Sequence, residues 1–190
     1  LATYRARHRK QSGAFIRRLT TEKDAEAMMD GARREADADT LLLFELLLGT
    51  GQRISDVLAM QWAHVSEDGI AVTQGKTKRR LVIPLTDRLA QTLADTPRRG
   101  LHIVTLPDGR PMKYNSAYNR MRALRDAIGA GDYDNHALRY AAAAEIASLP
   151  GMTSEHVQAI TGHSSLDMVR LYAGGAQQLA RAREAQKNRR

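Results

Sequence analysis

The sequence predicts a mainly α-helical domain with a small antiparallel β-sheet, an α+β fold, on three observations. Apolar residues recur at helical spacing over most of the chain. The stretch GIAVTQGKTKRRLVIPLT, Gly69 to Thr86, instead alternates as two strands do about a charged turn. No internal repeat or low-complexity linker divides the chain, and 190 residues suffice for one domain with a sizeable core.

Residues 1–19 carry Arg5, Arg7, Arg9, Lys10, Arg17 and Arg18 with little apolar periodicity, and read as a basic arm or linker or as a solvated tail. Thr20 and Thr21 ahead of Glu22 and Asp24 supply a hydroxyl cap with acids in the first turn, so a helix is expected from about Glu22 to Ala36. The chain restarts at Asp37 to Thr40. LLLFELLL, Leu41 to Leu48, then continues as a nearly all-apolar helix that belongs in the core and is far too short to span a bilayer. Gly49-Thr50-Gly51 ends it, and a new helix begins near Ile54, which leaves Arg53 at a sharp turn at the edge of the core. Trp62 reads as packing.

In the hairpin, Ile70 and Val72 precede the turn and Leu81, Val82 and Ile83 follow it. The turn holds Lys76, Lys78, Arg79 and Arg80, close enough together to enter a groove or, more plainly, to protect a sheet edge. Pro84 ends the second strand, Thr86 to Ala94 forms a short helix, and Leu101 to Thr105 is expected as a third short strand. Tyr114 to Ile128 forms an amphipathic helix with Arg120, Arg122 and Arg125 on its charged side. A glycine and aspartate loop, Gly129 to Asn135, leads into a helix at His136, where Ala141 to Ala144 leave one side small enough for another helix to approach. Thr153, Ser154 and Glu155 cap the next helix, which ends at Gly162. Ser164-Ser165 opens a further helix with Tyr172 at or near its end, and Gly174-Gly175 is expected to break it. The expected organisation is a basic arm or linker over 1–19, one domain over 20–175, and a basic helix or tail over 176–190.

Lys and Arg total 29 against 21 for Asp and Glu, a net charge of +8 that favours an anionic partner, nucleic acid first. Charge alone is equally compatible with a protein that merely happens to be basic. Without cysteine there is no disulfide framework, thiolate nucleophile or Cys-based zinc site, which agrees with a reducing cytosol. The chain begins at Leu1 with neither an initiator Met nor an apolar signal region, so it is expected to be a fragment of a longer protein.

The densest chemistry lies in HALRYAAAAEIASLPGMTSEHVQAITGHSSLDMVRLY, His136 to Tyr172. His136 and Arg139 are three apart and share a helix face. Gly162-His163 follows, and Tyr172 stands nine residues beyond His163 (172 − 163 = 9). A His, an Arg, a second His and a Tyr suit attack by tyrosine on a phosphate better than metal or acyl chemistry. Taken singly, each has a plain reading: surface polar groups for His136 and Arg139, a cap for His163, and an Arg53–Asp56 ion pair. Tyr140 competes as nucleophile but follows Arg139 directly, so it turns roughly 100° away around the helix.

These motifs resemble the tyrosine recombinases, the group that contains the phage and mobile-element integrases. HxLR, GH and the later Tyr resemble that family's C-terminal signature. TGQRISDVLAMQW, Thr50 to Trp62, resembles the segment with its first catalytic arginine, which falls at Arg53; the hairpin resembles the one with its catalytic lysine, which falls at Lys76, or at Lys78 in another register. The resemblance covers most of the chain and implies an integrase catalytic-domain fold. It further implies site-specific recombination of double-stranded DNA through a 3′-phosphotyrosyl intermediate at Tyr172, without metal, ATP or other cofactor. Arg53 and Arg139 would hold the phosphate, His136 would serve as base, His163 would donate a further hydrogen bond, and Lys76 would act as general acid. Lys78, Arg79, Arg80 and Arg120 are the candidate DNA-binding residues, and the implied partners are DNA and further copies of the chain, dimer to tetramer, with a cytoplasmic setting and no membrane. The family usually carries a separate DNA-binding domain before its catalytic domain, and residues 1–190 are expected to lack it as a fragment would. Gln52 stands where an apolar residue is common, Asp56 where Glu is common, and Gly174-Gly175 loosens the segment after Tyr172. A type IB topoisomerase, a non-catalytic DNA-binding module of the same fold, and a basic interaction domain are the competing readings.

Overall fold

The computed structural model describes residues 22–131, 133–187 and 189, so the basic arm and the Thr20-Thr21 cap lie outside the described residues. In chain order the elements are α1 (Glu22–Glu35), α2 (Ala38–Thr50), α3 (Ile54–Leu58), a 3₁₀ turn (Trp62–His64), β1 (Val65–Ser66), β2 (Gly69–Thr73), β3 (Arg80–Ile83), α4 (Asp87–Asp95), α5 (Tyr114–Ala127), α6 (His136–Ser148), α7 (Ser154–Thr161) and α8 (Leu166–Lys187). The architecture is the expected one: helices around a small antiparallel sheet.

The apolar run forms the central helix α2. Asp37 caps it by accepting from the Thr40 N–H, and Leu42 through Leu48 are all buried. Glu45 lies within that run at 3% exposure because Arg33 of α1 donates to it through Nε at 2.6 Å. A buried carboxylate without such a partner would neutralise rather than stay charged. The helix ends at Gly51, in the left-handed region at φ 61°, whose N–H closes on the Leu47 carbonyl. The chain thereby enters Gln52-Arg53 directly from the core.

The sheet has the order β1-β2-β3, with Val65 opposite Ile70, Ile70 opposite Ile83 and Thr73 opposite Arg80. Ile70, Val72 and Ile83 point into the core, as the alternation predicts. The third strand is not the expected one. It is β1, before the hairpin, whereas Leu101 to Thr105 contributes only the isolated bridges Gln61–His102 and Thr105–Pro111. Ile103, Val104 and Thr105 are buried in succession while Leu101 is 78% exposed, so the segment lacks the two-faced pattern a strand needs.

The alanine side of α6 meets α8, the two helices packing through Ala143, Ala147, Val169 and Ala173, with Val157 of α7 in the same cluster. Small side chains let the helices come close, as the run predicts. The helix is not broken at Gly174-Gly175, however. It runs on to Lys187, because Gln177, one turn later, is buried and tied across α7: it accepts from the Ser154 hydroxyl at 3.1 Å and donates to the Met152 carbonyl at 3.3 Å. Tyr172 therefore lies within the first two turns of a long helix rather than at its end. Among the described residues, no helix is long and apolar enough to cross a membrane.

Candidate active site

Arg53 is the N-cap residue of α3, extended at φ −71° and ψ 150°, and half-buried. Its Nη1 lies 3.7 Å from Asp56 Oδ2, the ion pair that the plain reading foresaw. The other oxygen of Asp56 accepts the Gly75 N–H at 2.9 Å, so one carboxylate holds both the Arg53 side chain and the backbone next to Lys76. Lys76 itself is exposed in the turn between Thr73 and Arg80, which closes through Gln74 N–H to the Arg79 carbonyl and Lys78 N–H to the Gln74 carbonyl.

His136 begins α6, and the Asp134 carboxylate caps that helix by accepting the Ala137 N–H at 3.1 Å. Arg125 of α5 donates to the Asn135 side chain and fixes the loop from behind. Arg139, one turn on, is 1% exposed and donates through Nη1 to the Gly51 carbonyl at 2.6 Å. Tyr140 is 5% exposed and packs edge-on against His136 with ring centroids 4.7 Å apart, which places this rival nucleophile inside the core.

His163 follows the left-handed cap of α7 at Gly162, where φ is 68°. A side chain at 162 would also meet Gln74 Nε2 at 2.6 Å, so that position needs glycine for its backbone and for the space. The His163 carbonyl accepts from Arg79 Nη1 at 2.9 Å and from Gln158 Nε2 at 2.8 Å. Its Nδ1 lies 2.6 Å from the Thr161 hydroxyl, which in turn lies 2.6 Å from the Val157 carbonyl. A hydroxyl has one hydrogen, and the carbonyl can only accept it, so Thr161 accepts from an Nδ1–H, and Nε2 is the unprotonated nitrogen of the neutral ring.

The charges converge. Burial is the largest influence on His136 and pushes its pKa down to about 4, with Asp134 opposing and Arg139, Arg53 and Lys76 adding to the fall. Burial likewise lowers His163 to about 3, reinforced by Arg139, Arg53 and His136. Both imidazoles are therefore neutral at pH 7, inside a nest of cations that an anion would relieve. Among the described residues, no three of His, Cys, Asp and Glu gather to hold a metal ion.

Tyr172 lies on α8, nine residues beyond His163, and its side chain falls outside the described residues. Lys78 and Arg80 are exposed around the hairpin turn, while Arg120 spends its guanidinium on the α2 cap, at 3.1 Å from Asp37 Oδ2. Lys78 occupies the left-handed region at φ 57°. The sequence reading does not single out Gln74 or Thr161. The available signal is a polar residue directly before each glycine-led motif, Gln74 before Gly75-Lys76 and Thr161 before Gly162-His163.

The fold and the gathered cations define a class. A family model described as the phage integrase family matches residues 18–178, and the chain belongs to that family, as the motifs suggested. The shufflon-specific DNA recombinase of Escherichia coli is 28% identical over 167 residues, covering 86% of this chain and 41% of that protein, so the chain spans less than half of that relative. The integrase of Escherichia phage HK022 is 40% identical over 58 residues, 29% of this chain and 16% of that protein. Among solved structures, a lambda integrase (residues 75–356) dimer bound to a COC′ core site superposes with a TM-score of 0.68 at 25% identity, covering 79% of this chain and 57% of that one. XerA recombinase shares the fold at a TM-score of 0.73 and 18% identity, over 90% of this chain and 65% of its own.

Proposed function

We propose that this chain is the catalytic domain of a site-specific tyrosine recombinase. The observation that carries the reading is that Arg139 donates to the Gly51 carbonyl two residues before Arg53, while Asp56 pairs with Arg53 and accepts from the Gly75 N–H beside Lys76, so all three cations are tied to the Gly51–Asp56 segment. An unperturbed tyrosine hydroxyl has a pKa near 10 and needs help at neutral pH. Neutral His136 takes the Tyr172 proton as the oxygen attacks phosphorus, and Arg53 and Arg139 hold the non-bridging oxygens as their charge grows. The P–O5′ bond breaks, Lys76 gives its proton to the departing oxygen, and a 3′-phosphotyrosyl ester remains. The arriving phosphate raises both histidine pKa values, so His163 gains the Nε2 proton with which it donates to the phosphate. A 5′-hydroxyl from another strand reverses the steps, and the sequence needs no metal, ATP or cofactor.

Double-stranded DNA is the substrate, held in part by Lys78, Arg79 and Arg80, with Arg120 left to its structural pairing with Asp37. Further copies of the chain assemble on it as dimer to tetramer, in the cytoplasm of the cell that carries the gene. The 41% coverage of the shufflon recombinase fits a domain that works within a longer protein. The test is covalent trapping: nicked duplexes from DNA flanking the gene are incubated with the protein, denatured and assayed for an adduct. Wild type and Tyr140→Phe should form it, and Tyr172→Phe should not. Tight, salt-sensitive binding with no adduct from any duplex would favour a binding module over an enzyme.

A further inference from the structure

Three chain segments that carry Arg53, Lys76 and His163 meet in a buried polar clasp built from two glutamines. Gln52 is 1% exposed, and Gln74 and Thr161 are 0% exposed. Gln74 Nε2 donates to Gln52 Oε1 at 2.6 Å and to the Thr161 carbonyl at 2.9 Å, while its Oε1 accepts from the Thr77 hydroxyl at 2.5 Å. Gln52 Nε2 donates to the Thr50 and Ile160 carbonyls, both at 3.0 Å. Both amides thus use all of their N–H hydrogens, in a setting where an unmet polar group is costly.

Amides with fixed donors and acceptors set distance and orientation in a way that apolar side chains of the same volume do not. Gln52 adjoins Arg53. Gln74 is two residues before Lys76 and closes the turn with its own backbone, and Thr161 is two before His163 and bonded to its ring. Gly162 leaves the room in which Gln74 Nε2 sits. Lys76 itself is exposed, and the bonds that tie this end of the hairpin to the rest of the site are the clasp, the Gly75–Asp56 bond and the Arg79 bond to the His163 carbonyl, of which only the clasp's bonds from Gln74 to Gln52 and Thr161 are fully buried.

We infer that Gln74, held by Gln52 and the Thr161 carbonyl, is a positioning residue that sets the Lys76 turn against Arg53 and His163. This rests on the reading of Lys76 as a contributor to cleavage, and the test separates the two. Single-turnover cleavage of a nicked duplex is measured for wild type, Gln74→Leu, Lys76→Ala and the double variant, together with Thr77→Val, a milder cut at the partly buried end of the clasp. Melting curves show which variants are folded.

Gln74→Leu is expected to slow cleavage at least tenfold, and the double variant to be no slower than Lys76→Ala alone. Independent losses that multiply, in folded protein, would overturn the inference, as would full activity in Gln74→Leu. If Gln74→Leu does not fold, Thr77→Val carries the same cycle, with a smaller loss that Lys76→Ala must again absorb. A duplex with sulfur in place of the bridging 5′ oxygen supplies the second readout, since a thiolate leaves without a proton. Gln74→Leu and Lys76→Ala should both recover on it. If Lys76→Ala alone fails to recover, the general-acid role falls; if Lys76→Ala recovers while Gln74→Leu does not, the positioning inference falls.

Discussion

Arg139 donates to the Gly51 carbonyl at 2.6 Å from a side chain that is 1% exposed. The bond joins the first turn of α6 to the left-handed cap of α2, two residues before Arg53. Both arginines are thereby referenced to one short piece of backbone, although 86 residues separate them in sequence (139 − 53 = 86). One is buried and structural as well as cationic, and the other is half open.

That difference predicts a split between activity and stability. Arg53→Ala and Arg139→Ala should each slow covalent cleavage by about 10² to 10³. Arg139→Ala should also destabilise the fold by roughly 1–3 kcal/mol, because the Gly51 carbonyl loses its donor in the interior. Arg53→Ala should also cost stability, because it leaves the buried Asp56 carboxylate without its cation, whereas Arg53→Lys, which keeps a cation there, should cost much less. Single-turnover assays beside thermal melts check these outcomes, and destabilisation by Arg53→Lys as large as that by Arg139→Ala would refute the asymmetry.

The histidines give the pH dependence. Their folded pKa values, about 4 for His136 and about 3 for His163, lie below the unfolded value near 6.5. The unfolded chain therefore binds protons that the fold refuses. The stabilisation is complete above pH 6.5 and is lost as pH falls toward 4, with His163 continuing to 3. Each contributes at most about 1.4 kcal/mol per pH unit in that window. Melting temperature should drop from pH 7 to pH 4.5, and less steeply in a His136→Gln/His163→Gln variant. Parallel slopes would mean that both rings charge freely in the fold.

Gly162→Ala isolates the crowding behind His163. The new methyl would meet Gln74 Nε2 at 2.6 Å and Leu81 Cδ1 at 2.7 Å, at a φ of 68° that alanine disfavours. The left-handed backbone alone costs on the order of 1–2 kcal/mol. Stability should fall by more than that, and the Gln74 bonds should be displaced. A melting temperature unchanged from wild type would show that the α7 cap and the hairpin do not press on each other.

What sequence made legible was what local pattern records. The Gly49-Thr50-Gly51 stop, Arg53 before Ile54, the Ile70, Val72 and Ile83 alternation and the alanine face of α6 each leave a short-range signature, and each element stands where it points. β1 is only two residues long and its pairing depends on β2, so it leaves none. Leu101 to Thr105 looked like a strand by composition, but burial of consecutive side chains is decided by tertiary packing. Gln52 was visible only as an odd polar residue. Its partner Gln74 is 22 positions away and Thr161 is 109, and no local pattern links them.

The glycines of α8 supply the last prediction. A Gly-Gly pair ordinarily ends a helix, because each costs roughly 1 kcal/mol relative to alanine in a helix interior. Here Val169 and Ala173 pack on α6 before the pair, and Gln177 is held by Ser154 and the Met152 carbonyl after it, so tertiary contacts on both sides carry the helix through. Neither glycine has a positive φ, and a side chain at either would meet nothing within 4 Å. Gly174→Ala and Gly175→Ala should therefore each stabilise the protein, by about 0.5–1 kcal/mol, and together raise its helical content. A hinge or chain reversal at this pair would give the opposite sign, so thermal melts of the two variants decide whether α8 is one continuous rod from Leu166 to Lys187.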